Sequence, residues 1–348
     1  MTTAIALISG GLDSMLAAKL VLDQGVDVKG VNFYTGFCVE GHTQSIRSRE
    51  AKKPKRNNAL WVAEQLGIEL ELVDVSEEYK RVVLNPKHGY GKNLNPCVDC
   101  KIFMLEKLKE LREQGRLAFD FMLSGEVLGQ RPMSQKRTRL DIIAKESGSE
   151  DELLRPLSAK LFPPTLAERR GWVDRESLLG ISGRHRGTQF RLAQEFGFED
   201  YAQPAGGCCF LTDPSYASKL SDLWGARGRR TYELEDILLL KVGRHIRPAA
   251  DFKLIVGRDE GENRFLEGFR RRFPHFKPVS HEGSLVLLDG AATRPNIDLA
   301  ARIAGRYSQG KDTPEVTISY TSCDGVSEDL CVTPMAMHEV RNDWHLGR

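Results

Sequence analysis

The first two hundred residues repeat one hydrophobic pattern: a short apolar run, a polar or glycine-bearing turn, then an amphipathic stretch. Residues 4–8, 26–33, 69–73, 119–123 and 153–158 read as strands. Short apolar runs of this kind suit strands covered on both faces of a parallel sheet. Residues 15–22, 59–66 and 77–84 read as helices, as does the stretch from Cys100, with Ile102, Phe103, Leu105, Leu108 and Leu111 on one stripe. Shorter helices are expected at 165–171 and 188–196. The alternation predicts an α/β fold, a doubly wound, mostly parallel sheet with right-handed crossovers. After about residue 220 the pattern changes. Residues 237–242, 253–256, 285–288 and 316–320 read as strands and 263–272 as a helix, a smaller C-terminal α+β domain. Residues 227–230 read as a hinge, so the expected domains are 1–220 and 230–345.

A chain of 348 residues has room for two such domains. Its net charge of +2 is too small to mark a generally basic nucleic-acid binder, so an RNA surface must be a local patch. No basic start leads into an apolar leader, and no apolar run approaches the ~18 residues of a membrane span. A cytoplasmic location without a membrane partner is therefore expected. Thiols stay reduced there, so the seven cysteines point to metal or sulfur chemistry rather than disulfides.

Three places carry candidate chemistry. Ser9-Gly10-Gly11-Leu12-Asp13-Ser14 lies between the first strand and the first helix, where backbone N–H groups and the helix dipole favour an anion. Ser9 and Ser14 add hydroxyls, and Asp13 adds a carboxylate suited to magnesium on a phosphate. The loop has neither the Gly-Lys-Ser/Thr ending of the ATPase loop nor the spaced glycines of the dinucleotide fingerprint. A second loop, Gly125 to Gln130, follows the fourth strand. Cys97 and Cys100 form a CxxC at a helix N-terminus, where the dipole favours thiolates. Cys208 and Cys209 follow Gly206 and Gly207, where backbone can approach a cofactor closely. No second CxxC lies nearby, which argues against a four-cysteine zinc site. The CxxC with Cys208 or Cys209 gives three ligands and leaves a metal position open. Cys38 and His42 follow the second strand and are weaker candidates for the nucleotide site; Cys323 and Cys331 are spaced too loosely to assign as ligands. Basic residues concentrate at Arg47, Lys52, Lys53 and Arg56, at Arg184, Arg186 and Arg191, and at Arg244 and Arg247.

Together the segments 9–14, 95–101, 125–130 and 206–209 resemble the PP-loop ATP pyrophosphatases, and among them the tRNA thiouridine synthetases (the 4-thiouridine synthetase and the tRNA 2-thiouridylases). The likeness covers roughly residues 4–215. The tail around 241–247 and 254–264 is similar to the RNA-binding domain of the NFACT proteins. The resemblance implies ATP on Ser9, Gly10, Gly11, Asp13, Ser14, Gly125 and Gln130, with Mg2+ near Asp13. A uridine carbonyl oxygen would attack the α-phosphate, pyrophosphate would leave, and sulfur would then displace AMP. It also implies one of two sulfur carriers. One is a 4Fe–4S cluster on Cys97, Cys100 and Cys208 or Cys209. The other is a persulfide on Cys208 or Cys209, resolved by Cys97 or Cys100. The cluster is favoured, because three or four thiols match it better than a pair. The implied partners are a tRNA, met by the C-terminal domain and the basic segments, and a sulfur donor, either sulfide or a persulfide-carrying protein. The oligomeric state, a homodimer included, stays open. Two other readings share these motifs: a PP-loop enzyme acting on a small-molecule precursor of a sulfur-containing cofactor, and a non-catalytic RNA-binding protein.

Overall fold

A computed structural model describes residues 2–39, 57–201 and 207–347. It divides into two compact units, Met1–Gly36 with Arg56–Cys208, and Phe37–Lys55 with Cys209–Arg348. The division falls between two adjacent cysteines, ahead of the 220–230 span read from the sequence.

The first unit is built on a five-stranded parallel sheet of β1 (Thr3–Leu7), β2 (Asp27–Tyr34), β3 (Leu70–Asp74), β4 (Phe121–Ser124) and β5 (Leu153–Leu154), in the order β3-β2-β1-β4-β5. The expected doubly wound parallel sheet is present, with the first four strands within about two residues of their expected bounds. Ala4, Ile5, Ala6 and Ile8 are buried because helices cover both faces. α1 (Leu12–Leu22) buries Met15, Leu16, Ala17, Ala18 and Val21, nearly all its apolar surface. α2 (Asn58–Leu66) is capped by the Asn57 side chain, which accepts from the N–H groups of Ala59 and Leu60, and ends at the left-handed Gly67. α3 (Lys80–Leu84), α4 (Cys97–Glu113), α5 (Arg137–Glu146), α6 (Leu166–Arg169) and α7 (Gly187–Glu195) are the unit's other α-helices among the described residues. Strand order reverses between β1 and β4, and their carboxyl ends flank the crevice where such sheets bind ligands.

The second unit holds a seven-stranded antiparallel sheet, ordered β11-β10-β8-β9-β7-β6-β12. Its strands are β6 (Arg244–Ala249), β7 (Phe252–Val256), β8 (His275–Pro278), β9 (Val286–Gly290), β10 (Val316–Thr321), β11 (Ser327–Val332) and β12 (His345–Leu346). Its α-helices among the described residues are α8 (Pro214–Arg227), α9 (Leu234–Leu239), α10 (Glu260–Glu267) and α11 (Arg294–Arg306). Alternation along the strands separates two faces. Leu254, Val256, Val286 and Leu288 pack with Ala300, Ile303 and Ala304 of α11, whereas Ile255, Leu285 and Leu287 pack with Leu239 and Leu266. The strand expected at 237–242 is not formed. Glu233 and Asp236 make a reciprocal capping box that starts α9 there, and an apolar run of this length does not by itself distinguish strand from buried helix. The helix expected at 263–272 lies earlier, because Asp259 caps it by accepting from the Glu262 N–H.

Candidate active site

The loop after β1 takes its shape from two glycines. Gly10 has φ of +78°, and a Cβ on it would fall 2.8 Å from Asn58 Cβ, so the loop lies directly against the start of α2. Gly11 is the N-cap of α1 and places no side chain over the helix end, which leaves first-turn N–H groups available to an anion. Ser9 and Ser14 stand beside each other, with hydroxyl oxygens 3.4 Å apart, and Ser14 Oγ donates to the Gly11 carbonyl at 2.8 Å. From the other side of the crevice, Gly125 presses on the same loop. A Cβ there would sit 2.5 Å from the Asp13 carbonyl and the Ser14 nitrogen.

Asp13 is held at one oxygen. Its Oδ2 accepts from Gln130 Nε2 at 2.7 Å and from Arg186 Nη2 at 3.0 Å. Gln189, wholly buried on α7, donates to Gln130 Oε1 at 2.9 Å and fixes the orientation of that amide. Ser158 ties the 125–130 loop to the segment before α7: its hydroxyl accepts from the Leu128 N–H and donates to the Ile181 carbonyl. Asp13 Oδ1 is buried and has no hydrogen-bond partner. An orphaned carboxylate oxygen beside an open helix N-terminus is the donor a phosphate-bound magnesium requires, so these residues fit MgATP.

Cys97 and Cys100 open α4, with Pro96 at the N-cap. Asn95 Nδ2 donates to Cys97 Sγ at 3.1 Å, and the Tyr79 hydroxyl bonds to Cys100. Burial, with a further push from Cys208, raises the Cys100 thiol to about 12; Tyr79 and Lys101 act against it. Burial also raises Cys97, while Asn95, Lys101 and Arg131 oppose the shift. Cys208 therefore stands within electrostatic reach of both CxxC thiols; Lys101 favours the ionised forms of Cys97 and Cys100, and Arg131 adds to this at Cys97. Glu126 and Arg155 form a buried ion pair at 3.2 Å, and the Glu126 charge helps hold Lys101 protonated. Three thiols suit an iron–sulfur cluster in kind and number. As placed they are not a finished ligand set: among the described residues no three Cys, His, Asp or Glu side chains converge to hold a metal ion. Cys209 belongs to the second unit and pairs there with Cys38.

Of the expected RNA contacts, Arg47, Lys52, Lys53 and Arg56 lie outside the described residues, as do His42 and Gly206. Arg186 turns inward to Asp13. Arg184 is exposed, and Arg191 lines an open concavity with Ser182, His185 and Thr188. Arg244 is exposed, with its guanidinium 5.5 Å from the Tyr307 ring centroid. Arg247 is committed within its own unit through a two-point ion pair with Asp222. Sequence reasoning missed Gln189, Lys101, Arg131 and Glu126. Lys101 adjoins the CxxC and could have been found from that position; the others are brought in by the fold. No helix among the described residues is long and apolar enough to cross a membrane.

Comparison with known proteins follows the same division. Residues 2–146 match the family model described as the tRNA methyl transferase HUP domain, and residues 243–345 match the NFACT protein RNA binding domain. The tRNA-specific 2-thiouridylase MnmA of Syntrophotalea carbinolica is 36% identical over 128 residues, covering 35% of this chain and 33% of its own length. The tRNA-specific 2-thiouridylase MnmA 1 of Syntrophus aciditrophicus is 26% identical over 214 residues, covering 57% and 55%. The chain thus spans between about a third and about half the length of these curated relatives. Among solved structures, the U34-tRNA thiolase NcsA from Methanococcus maripaludis with its 4Fe–4S cluster is similar over 69% of this chain and 73% of its own. Its TM-score is 0.32 and its sequence identity 18%. The chain therefore joins an N-terminal PP-loop domain of the HUP type, with tRNA 2-thiouridylase homologues, to a C-terminal domain that matches the NFACT RNA-binding family.

Proposed function

We propose that the protein is an ATP-dependent tRNA sulfurtransferase that adenylates a uridine carbonyl oxygen and replaces it with sulfur. The observation that carries this reading is one compact unit holding both an anion loop with a half-open carboxylate and a trio of thiols. The Ser9–Ser14 loop would bind the ATP phosphates through backbone N–H groups and the α1 dipole, and Asp13 Oδ1 would bind Mg2+. Gln130, fixed by Gln189, and Arg186 keep the carboxylate oriented before nucleotide arrives. Attack of the uridine oxygen on the α-phosphate expels pyrophosphate, and AMP then leaves far more readily than the bare oxygen. Catalysis here is mostly positioning and charge neutralisation. Cys97, Cys100 and Cys208 would receive the sulfur, with Lys101 and Arg131 stabilising the charge that their ionisation creates. If these three hold a 4Fe–4S cluster, it supplies Lewis-acidic iron for sulfide. Tyr79 and Asn95 donate to the CxxC sulfurs in either case. The tRNA would contact the exposed Arg184 and Arg244 and the basic residues at 47–56; the location is cytoplasmic.

The test is pyrophosphate release from MgATP with and without unmodified tRNA. The reading expects release to depend on the RNA and to vanish in Asp13→Asn. Release at the same rate without RNA would favour a small-molecule substrate instead.

A further inference from the structure

Cys38 and Cys209 are used by neither the nucleotide loop nor the thiol trio, and both belong to the second unit. They face each other across an antiparallel β-bridge. The Phe210 N–H donates to the Phe37 carbonyl at 2.9 Å. That bond joins the residues flanking the pair, so the cysteines occupy a non-hydrogen-bonded site, where facing Cα atoms lie about 4.5 Å apart. This separation falls inside the ~4.4–6.8 Å that a disulfide spans. Aromatic packing holds both segments in place. The Phe37 ring is wholly buried and meets Tyr216 and Tyr232 edge-on at 6.1 and 5.3 Å, and Phe210 packs on Tyr216 at 5.4 Å.

Lys241 is the third member. Its Nζ donates to the Cys38 carbonyl at 3.4 Å and lies 5.0 Å from the Phe210 ring centroid. The side chain is buried, and burial lowers its ammonium to about 8, against the attraction of Cys38 and Cys209.

We propose that Cys38 and Cys209 form a dithiol centre that takes sulfane sulfur from a persulfide donor and releases it as sulfide. The role deepens the sulfur-transfer reading and rests on it. The Cys209 thiolate attacks the outer sulfur of a donor persulfide; the donor S–S bond breaks, a donor thiolate leaves, and a persulfide forms on Cys209. The Cys38 thiolate, held beside Lys241, then attacks Cys209 Sγ. The bond from Sγ to the sulfane sulfur breaks, hydrosulfide leaves with the electron pair, and a Cys38–Cys209 disulfide closes. Sulfane sulfur is reduced by two electrons and the two thiols are oxidised by two. A dithiol reductant then restores the pair by exchange. Replacing oxygen on an adenylated base needs sulfur at the sulfide level, and this step supplies it.

The experiment uses the reduced full-length protein with cysteine persulfide as the probe and neither ATP nor RNA. Expected for the wild type are one sulfide per chain and a disulfide mapped by mass spectrometry to Cys38 and Cys209. In Cys38→Ser, sulfide release should fall at least tenfold and a persulfide should remain on Cys209. The wild-type map needs no variant, so misfolding of the variant cannot rescue the idea. A disulfide from Cys209 to Cys97 or Cys100, or sulfide release unchanged in Cys38→Ser, overturns it. Because tRNA is absent, a protein that passes this test yet fails to thiolate RNA keeps the dithiol centre and loses the sulfurtransferase reading.

Discussion

Asp13 is engaged at one oxygen and open at the other, and the difference decides what substitutions there should do. Asp13→Asn keeps a group able to bond Gln130 but loses the charge a metal needs. Pyrophosphate release should fall by about 100-fold or more, a loss in the range seen for a single electrostatic contact in catalysis, with little change in melting temperature. Gly125→Ala acts through space alone. Its methyl would meet the Asp13–Ser14 backbone at 2.5 Å, so calorimetry should record weakened ATP binding. Lys219 offers a pH prediction. Burial lowers its ammonium to about 8. Between about pH 8 and the ordinary lysine value, the unfolded chain binds more protons than the folded one, so stability from this group rises with pH. The wild type should therefore gain on Lys219→Met across that window by on the order of 2–3 kcal/mol, measured by urea unfolding. The sequence made the Ser9–Ser14 loop and the CxxC legible because each is contiguous. It misplaced Arg186, whose partner Asp13 lies 173 residues away, a pairing that no local pattern encodes.

Among the elements, α2 links a cap to the site. Asn57 caps the helix whose first residues abut Gly10. Asn57→Ala should cost about 1 kcal/mol of stability and loosen the loop, raising the ATP dissociation constant while leaving the residues that touch nucleotide in place. The strands of the first unit were readable because a parallel sheet covered on both faces demands continuous apolar runs. The second unit was harder. The half-polar β6 and β11 carry a weak alternation, and the apolar run at 237–240 satisfies a buried helix as well as a strand. There the Glu233–Asp236 box decides for α9, a signal weaker than the hydrophobic pattern that masks it.

For the molecule as a whole, two units with separate cores share one chain, and the boundary between them parts Cys208 from Cys209. The adjacent cysteines, interchangeable in sequence, thus acquire different neighbours: the CxxC for one, Cys38 and Lys241 for the other. The basic residues divide likewise between fold and partner. Arg244→Ala should weaken tRNA binding and lower its salt dependence while leaving stability nearly unchanged. Arg247→Ala should instead cost about 3 kcal/mol, because it leaves Asp222, which also faces Lys253, without its two-point partner. Filter binding at several salt concentrations and thermal unfolding separate the two effects.

The measurement that bears most directly on the central claim is thiolation itself. Unmodified tRNA is incubated with the reduced protein, MgATP and sulfide, then run on a gel that retards thiolated RNA through mercury. A retarded band that requires ATP and disappears in Asp13→Asn is the predicted result. ATP cleaved to AMP and pyrophosphate with no retarded band would contradict it.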